Sequence, residues 1–174
     1  MEVVVDVRLV PTSARNPQFA KERLQRLLSD AGIAYLHLPG LGGRRKPHPN
    51  SPNGRWRQPP FRGYADYALS EEFAAAFAQL RTVAATARSC LLCAEALWWR
   101  CHRRLLADRL LADGFPVSHI LPNGRLVPHR LPEFARVGRD GTLLYPSQTE
   151  GVGGDPVAGG AGKLAASAEE PHGQ

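Results

Sequence analysis

Residues 3–7 read VVVDV, and no feature of the chain constrains its fold more. Three β-branched residues in a row leave no polar side to turn to water, so such a strand is buried on both faces, as inside a parallel sheet. A parallel sheet needs helical crossovers to cover it. The chain supplies them in alternation. Pro11 and Ser13 end the first strand. Asn16 and Pro17 then suit the N-cap and first position of a helix whose apolar face is Phe19, Leu24, Leu27 and Leu28 and whose cap is Gly32. Residues 33–38 (IAYLHL) are a second strand. A helix capped by Ser70, with Glu71 and Glu72 in its first turn, runs through Phe73, Phe77 and Leu80 to about residue 86. Residues 89–93 (SCLLC) are a third strand. An amphipathic helix over 101–113 ends at Gly114, and 117–121 (VSHIL) is a fourth strand. The expectation is an α/β fold, Rossmann-like, with a largely parallel sheet and right-handed crossovers. A short last helix is expected over 131–135.

Residues 39–62 interrupt this alternation. They hold six basic residues and no acid, with the glycines of GLGG, Trp56, and five prolines after Pro39. Irregular segments of this length inside a compact domain are frequently functional. From about residue 151 the chain is glycine, alanine and acid with almost no large apolar side chain. The organisation read from this is one α/β domain over 1–149 and a disordered tail over 150–174.

No segment approaches the roughly 18 uninterrupted apolar residues of a membrane span. The apolar run at the N-terminus is too short for a signal peptide. Three cysteines, an odd number, make a poor disulfide framework, so a reducing cytoplasm is the expected compartment. The formal charge is +6, and residues 1–149 hold 21 bases against 12 acids. That excess points to an anionic partner, nucleic acid or nucleotide, or else to plain solubility charge.

Ligands of open parallel sheets bind at the carboxyl ends of the strands. Asp6 and Arg8 end the first strand, His37 the second, and Cys93 and Glu95 the third; His119 lies in the fourth. Cys101, His102 and Arg103 open the helix after the third strand. The basic loop, with Arg44 and Arg45, is expected to overhang the same edge. Three readings of residues 90–104 (CLLCAEALWWRCHRR) compete. A closed zinc site is disfavoured, because Cys90 and Cys93 face opposite sides of a strand and Cys101 and His102 diverge on a helix. No metal is therefore expected. A zinc deaminase would need a later P-C-x-x-C pair, which the chain lacks. The third reading is an anion or thiolate site at a helix N-terminus, with Arg100, Arg103 and His102 lowering a cysteine pKa; against it stands inert burial of Cys93 and Cys101 as small apolar groups. Glu95 is an ion-pair partner or general base there, and Arg8 is expected to share its network. Trp56, Phe61, Trp98 and Trp99 are either stacking surfaces for bases or ordinary packing.

Val5-Asp6-Val7-Arg8, Gly32-Ile33, Leu41-Gly42-Gly43-Arg44, Gly63-Tyr64-Ala65-Asp66-Tyr67, Cys93-Ala94-Glu95, Arg100-Cys101-His102-Arg103 and His119-Ile120 together resemble the domain-of-unknown-function 488 family. The resemblance implies a Rossmann-like α/β fold and no established activity or cofactor. It implies recurrent polar positions at Asp6, Arg8, Arg44, Tyr64, Asp66, Cys93, Glu95, Arg100, Cys101, His102 and Arg103. Members of that family usually carry a strand reading T-I-G-H-S and a helix ahead of V-D-V-R, so the chain is expected to be N-terminally truncated. The order strand, Cys, turn, Arg, helix is also similar to rhodanese-like domains, whose Arg lies closer to the Cys than Arg100 does to Cys93.

The functional expectation is an anionic ligand, nucleic acid or nucleotide, held at the strand ends by Arg8, Arg44, Arg45, Arg100 and Arg103, with Asp6, Tyr64 and Asp66 in support. The alternative is a thiol-dependent enzyme using Cys93, Glu95, Cys101 and His102 on a phosphorylated or sulfur-bearing substrate. A third reading is a non-catalytic interaction domain.

Overall fold

A computed structural model of the chain describes residues 1–147. The expected tail over 150–174 lies outside the described residues. Three strands form the central sheet: β1 (Val3–Asp6), β2 (Ala34–His37) and β3 (Ser89–Leu92). Their order is β2-β1-β3, and β1 runs parallel to both neighbours, with Val5 opposite Leu36 and Leu91. Val4, Val5 and Val7 are buried, as the β-branched run requires.

The crossovers are helical. α1 (Lys21–Asp30) joins β1 to β2, and α2 (Pro59–Tyr67) and α3 (Glu71–Thr86) lie between β2 and β3. α1 departs from expectation at its start. Asn16 and Pro17 begin a separate 3-10 turn, Ala20 is the N-cap of the helix, and only Leu24 of the helix is buried. Gly32 does close it, at φ +70°. The Ser70 hydroxyl caps α3 by accepting from the Phe73 amide at 3.2 Å. α3 then packs Phe73, Ala76, Phe77 and Leu80 into the core.

Residues 39–62 are not one open loop. Pro39–Leu41 is a 3-10 turn, and the helix of the G-Y-A-D-Y motif begins at Pro59, where two prolines suit a first turn. Between them Trp56 enters the core, stacked on Phe61 at 5.2 Å and edge-on to Phe134 and Tyr145. Asp66 anchors the segment, accepting from the His48 amide, the Ser51 hydroxyl and Asn53 Nδ2 at 2.6–2.8 Å. Gly63 lets the segment cross α2, since a Cβ there would sit 2.3 Å from the Arg45 carbonyl oxygen.

The fourth expected strand does not extend the parallel sheet. β4 (Ser118–Ile120), after α4 (Arg103–Ala112), pairs antiparallel with β5 (Leu126–Pro128). The cause is the Asn123-Gly124 turn, with Gly124 at φ +78°, which folds the chain straight back. Residues 131–135 form a turn rather than a helix, and β6 (Arg136–Val137) pairs with β7 (Leu143–Leu144). The architecture is a mixed α/β domain: a three-stranded parallel sheet with helices and two small antiparallel pairs. Among the described residues no helix is long and apolar enough to cross a membrane.

Candidate functional site

Two polar clusters occupy the carboxyl edge of the sheet. The first is closed on itself. Asp6 is fully buried at the end of β1, and the Arg8 guanidinium grips it through Nε at 2.9 and 3.0 Å and through Nη2 at 2.5 Å. The Arg8 amide and the Tyr35 hydroxyl also donate to this carboxylate. Burial pushes the Asp6 carboxyl up, but the bonds from Arg8 and Tyr35 outweigh it and hold the group below the usual range. Arg8 Nη1 donates to the Phe19 carbonyl at 2.8 Å, and the Arg8 carbonyl bonds to His37 Nε2 at 2.9 Å. Arg8 is thus occupied by Asp6 and Phe19, while the Glu95 carboxylate bonds the Leu97 amide at 3.2 Å. The expected Arg8–Glu95 network does not form.

The second cluster is open to chemistry. Cys93 follows β3, and a 3-10 turn over Trp98–Arg100 carries the chain to Cys101, just ahead of α4. Cys101 has an extended backbone (φ −117°, ψ 148°) and His102 is the N-cap, so the two side chains need not diverge as they would within a helix. They converge instead. His102 Nδ1 lies 3.7 Å from Cys101 Sγ and 3.9 Å from Cys93 Sγ, and all three atoms fall within 4.8 Å of one another. Arg103 Nε donates to Cys101 Sγ at 3.3 Å, and Nη2 of the same guanidinium donates to the Glu95 carbonyl.

The electrostatics follow from those contacts. A hydrogen bond from the Cys93 thiol, with further bonds from the Arg103 amide and guanidinium, outweighs burial and lowers the Cys101 pKa to about 6. The same hydrogen bond to Cys101, with burial, pushes Cys93 up to about 12. The contact thus drives the two thiols apart, Cys101 toward the thiolate and Cys93 toward the neutral thiol. The three donor atoms are close enough to be bridged by a soft ion, but the Arg103 charge already neutralises Cys101 from 3.3 Å and repels a cation. Cys90, on β3, stands outside the cluster, and burial raises its thiol pKa.

The glycine loop closes over this centre. A Cβ on Gly43 would lie 2.8 Å from His102 Nδ1, so only glycine allows the backbone so near the ring. The Tyr64 ring packs against His102 with centroids 4.9 Å apart, and its hydroxyl donates to the Leu41 carbonyl at 2.8 Å. His102 Nε2 is buried and unpartnered among the described residues.

The candidate residues therefore separate. Cys93, Cys101, His102 and Arg103 meet, with Tyr64 and the Glu95 carbonyl beside them. Asp6 and Arg8 form an internal clamp, and Asp66 tethers the basic segment. Arg45 lies over the Tyr67 ring at 3.6 Å. Arg44, at φ +64°, and Arg100 are exposed. Of the aromatics, Trp56 and Phe61 are core, Trp98 stacks on His119, and Trp99 is 44% exposed. A buried Asp108–His129–His119 chain was missed. Its signal was Asp108 at a core position of α4, between Leu105 and Leu111.

Fold and site together define an α/β domain with a cysteine–histidine–arginine centre at the carboxyl edge of a parallel sheet. The chain belongs to the family described as Domain of unknown function DUF488, whose family model matches residues 1–110. No match is found among curated proteins or solved structures.

Proposed function

We propose that the chain is a thiol-dependent enzyme whose centre is Cys101, Cys93, His102 and Arg103, acting on a phosphorylated or sulfur-bearing substrate. One observation carries the reading: Arg103 Nε lies 3.3 Å from a cysteine sulfur that is also within reach of a second thiol and an imidazole. An arginine against a thiolate keeps a nucleophile ionised at neutral pH. In the step this supports, Cys101 Sγ bonds to an electrophilic sulfur or phosphorus atom. The bond to the leaving group breaks, and the Cys93 thiol supplies its proton. His102 orients the two sulfurs through Nδ1. The reading suits a reducing, cytoplasmic setting. It also suits a Rossmann-like arrangement, in which ligands meet the carboxyl ends of parallel strands.

Thiolate ultraviolet absorbance, titrated against pH in the native chain and in Cys93→Ser and Cys101→Ser, tests it. A Cys101-dependent midpoint well below the ordinary thiol value of about 8.5 is expected. Midpoints at or above that value for every thiol overturn the reading.

A second reading, an anionic ligand such as a nucleotide or nucleic acid, is favoured by Arg44 and Arg100. Both are exposed and uncommitted among the described residues, one adjoining Gly43 and the other Cys101. Binding of short single-stranded DNA and RNA should weaken with salt, and Arg44→Ala with Arg100→Ala should flatten that slope. No binding at low salt removes this reading.

A further inference from the structure

Cys93 and Cys101 stand near enough to each other to be joined. Their sulfurs and His102 Nδ1 all lie within 4.8 Å of one another, and a disulfide needs the sulfurs at about 2.05 Å. Neither cysteine is fixed inside a regular element. Cys93 follows the last residue of β3, and Cys101 is an extended residue between a 3-10 turn and α4. The turn that links them is pinned at Glu95. Its carboxylate accepts from the Leu97 amide at 3.2 Å, and its carbonyl accepts from the Arg103 guanidinium. The two thiols are therefore held together before any substrate arrives. Cys90, on β3, lies outside this cluster.

We infer that Cys93 and Cys101 form a reversible dithiol–disulfide couple, and that the substrate the centre reduces is a low-molecular-weight disulfide. The couple rests on the thiol chemistry proposed above and narrows its sulfur-bearing substrate. A phosphoryl substrate needs one nucleophilic sulfur and gives the second none to attack. A disulfide substrate needs two sulfurs in succession, which is what the centre holds. The size limit follows from the cover. Cys101 is 4% exposed, and the Gly43 backbone lies against the His102 ring. A thin, unbranched disulfide reaches such a sulfur, and a disulfide within a folded protein does not.

Atoms and electrons balance in two exchanges. In the first, the Cys101 thiolate bonds to one sulfur of the substrate and the substrate S–S bond breaks. The departing thiolate takes the proton of the Cys93 thiol and leaves as a free thiol. Cys93 is then ionised. In the second, Cys93 Sγ bonds to Cys101 Sγ, the mixed disulfide breaks, and the second thiolate leaves and takes a proton from water. The substrate gains two electrons and the cysteine pair loses two. The second exchange is intramolecular, with an effective thiol concentration on the order of millimolar or more, so it outruns attack by a dilute external thiol. In the oxidised chain Arg103 Nε loses the thiolate that it meets at 3.3 Å in the reduced one.

The test mixes the reduced native chain with 2-hydroxyethyl disulfide near neutral pH without oxygen. Remaining thiols are then alkylated and the cysteine peptides mapped by mass spectrometry. A Cys93–Cys101 link with Cys90 alkylated is expected, with release of about two equivalents of 2-mercaptoethanol per chain. Cys93→Ser should stop at the mixed disulfide on Cys101 and release about one equivalent. A native chain that stops at the mixed disulfide, links Cys90 instead, or stays reduced overturns the couple. Those outcomes are read on the native chain, so a variant that fails to fold does not blunt them. A low Cys101 titration midpoint without the internal link removes the couple alone. Ordinary midpoints with no reaction remove the thiol reading as well.

Discussion

At the scale of single residues, the cysteine pair makes stability depend on pH with a definite sign. Cys101 moves from an ordinary 9.0 down to about 6 on folding. A group whose pKa is depressed by folding adds stability that is complete above its unfolded value and fades as pH falls through its folded one. Cys93, raised to about 12, acts in the opposite sense, and its contribution is lost only as pH climbs toward that value. Between about pH 5 and about pH 9 the Cys101 effect therefore governs. The stability deficit of Cys101→Ser relative to the native chain should widen with rising pH in denaturant titrations. A constant deficit means that the sulfur is not ionised. Asp6 and Arg8 give a second expectation. Asp6→Asn leaves a buried guanidinium without its counter-charge, which costs about 3–5 kcal/mol. Replacing both residues by apolar ones of similar size should cost less than Asp6→Asn alone, as measured by chemical denaturation.

At the scale of elements, what the sequence made legible was local, and what it hid was long-range. The Ser70 cap and the end of α3 near residue 86 follow from a hydroxyl, two acids and an apolar period, all within one segment. The burial of Trp56 follows from Phe134 and Tyr145, more than seventy residues away, so the basic segment read as an open loop. β4 lies outside the parallel sheet because the Asn123-Gly124 turn, a strong hairpin signal, overrides the alternation of strands and helices that precedes it. Gly32 and Gly63 show how differently two glycines can act. At Gly32 the space is open and only the φ of +70° resists a side chain, which costs about 1 kcal/mol. At Gly63 a methyl group would meet the Arg45 carbonyl at 2.3 Å, and neither α2 nor the segment crossing it can yield cheaply. Gly63→Ala should therefore cost about 1–3 kcal/mol. It should also loosen residues 45–53, read as faster amide exchange at Ser51 and Asn53, whereas Gly32→Ala leaves their exchange unchanged.

At the scale of the whole molecule, the centre is built by segments that share no local signal. The sequence pointed to the carboxyl edge of the sheet because strand ends are where polar residues interrupt apolar runs, and Asp6, Cys93 and Glu95 do so. It did not show that Asp6 and Arg8 neutralise each other, since pairing at i and i+2 depends on both side chains turning to one side beyond the strand end. Nor did it bring Cys101 and His102 together, because the segment read as helix from Cys101 onward and the helix begins at Arg103. The link least visible in sequence is Gly43 against His102, fifty-nine positions apart in the chain. It joins the glycine loop to the cysteine centre by backbone contact alone, and a substitution there separates fold from function. In Gly43→Ala the added methyl would stand 2.8 Å from His102 Nδ1, so either the loop lifts or the imidazole turns away from the sulfurs. A tilted ring loosens the Cys93–Cys101 pair, while the Arg8–Asp6 clamp and the packing around Trp56 stay in place. The expected outcome is a thermal midpoint within a few degrees of native and a Cys101 titration midpoint moved upward by about one pKa unit. A titration unchanged in a folded Gly43→Ala protein would show that the loop covers the centre without positioning it.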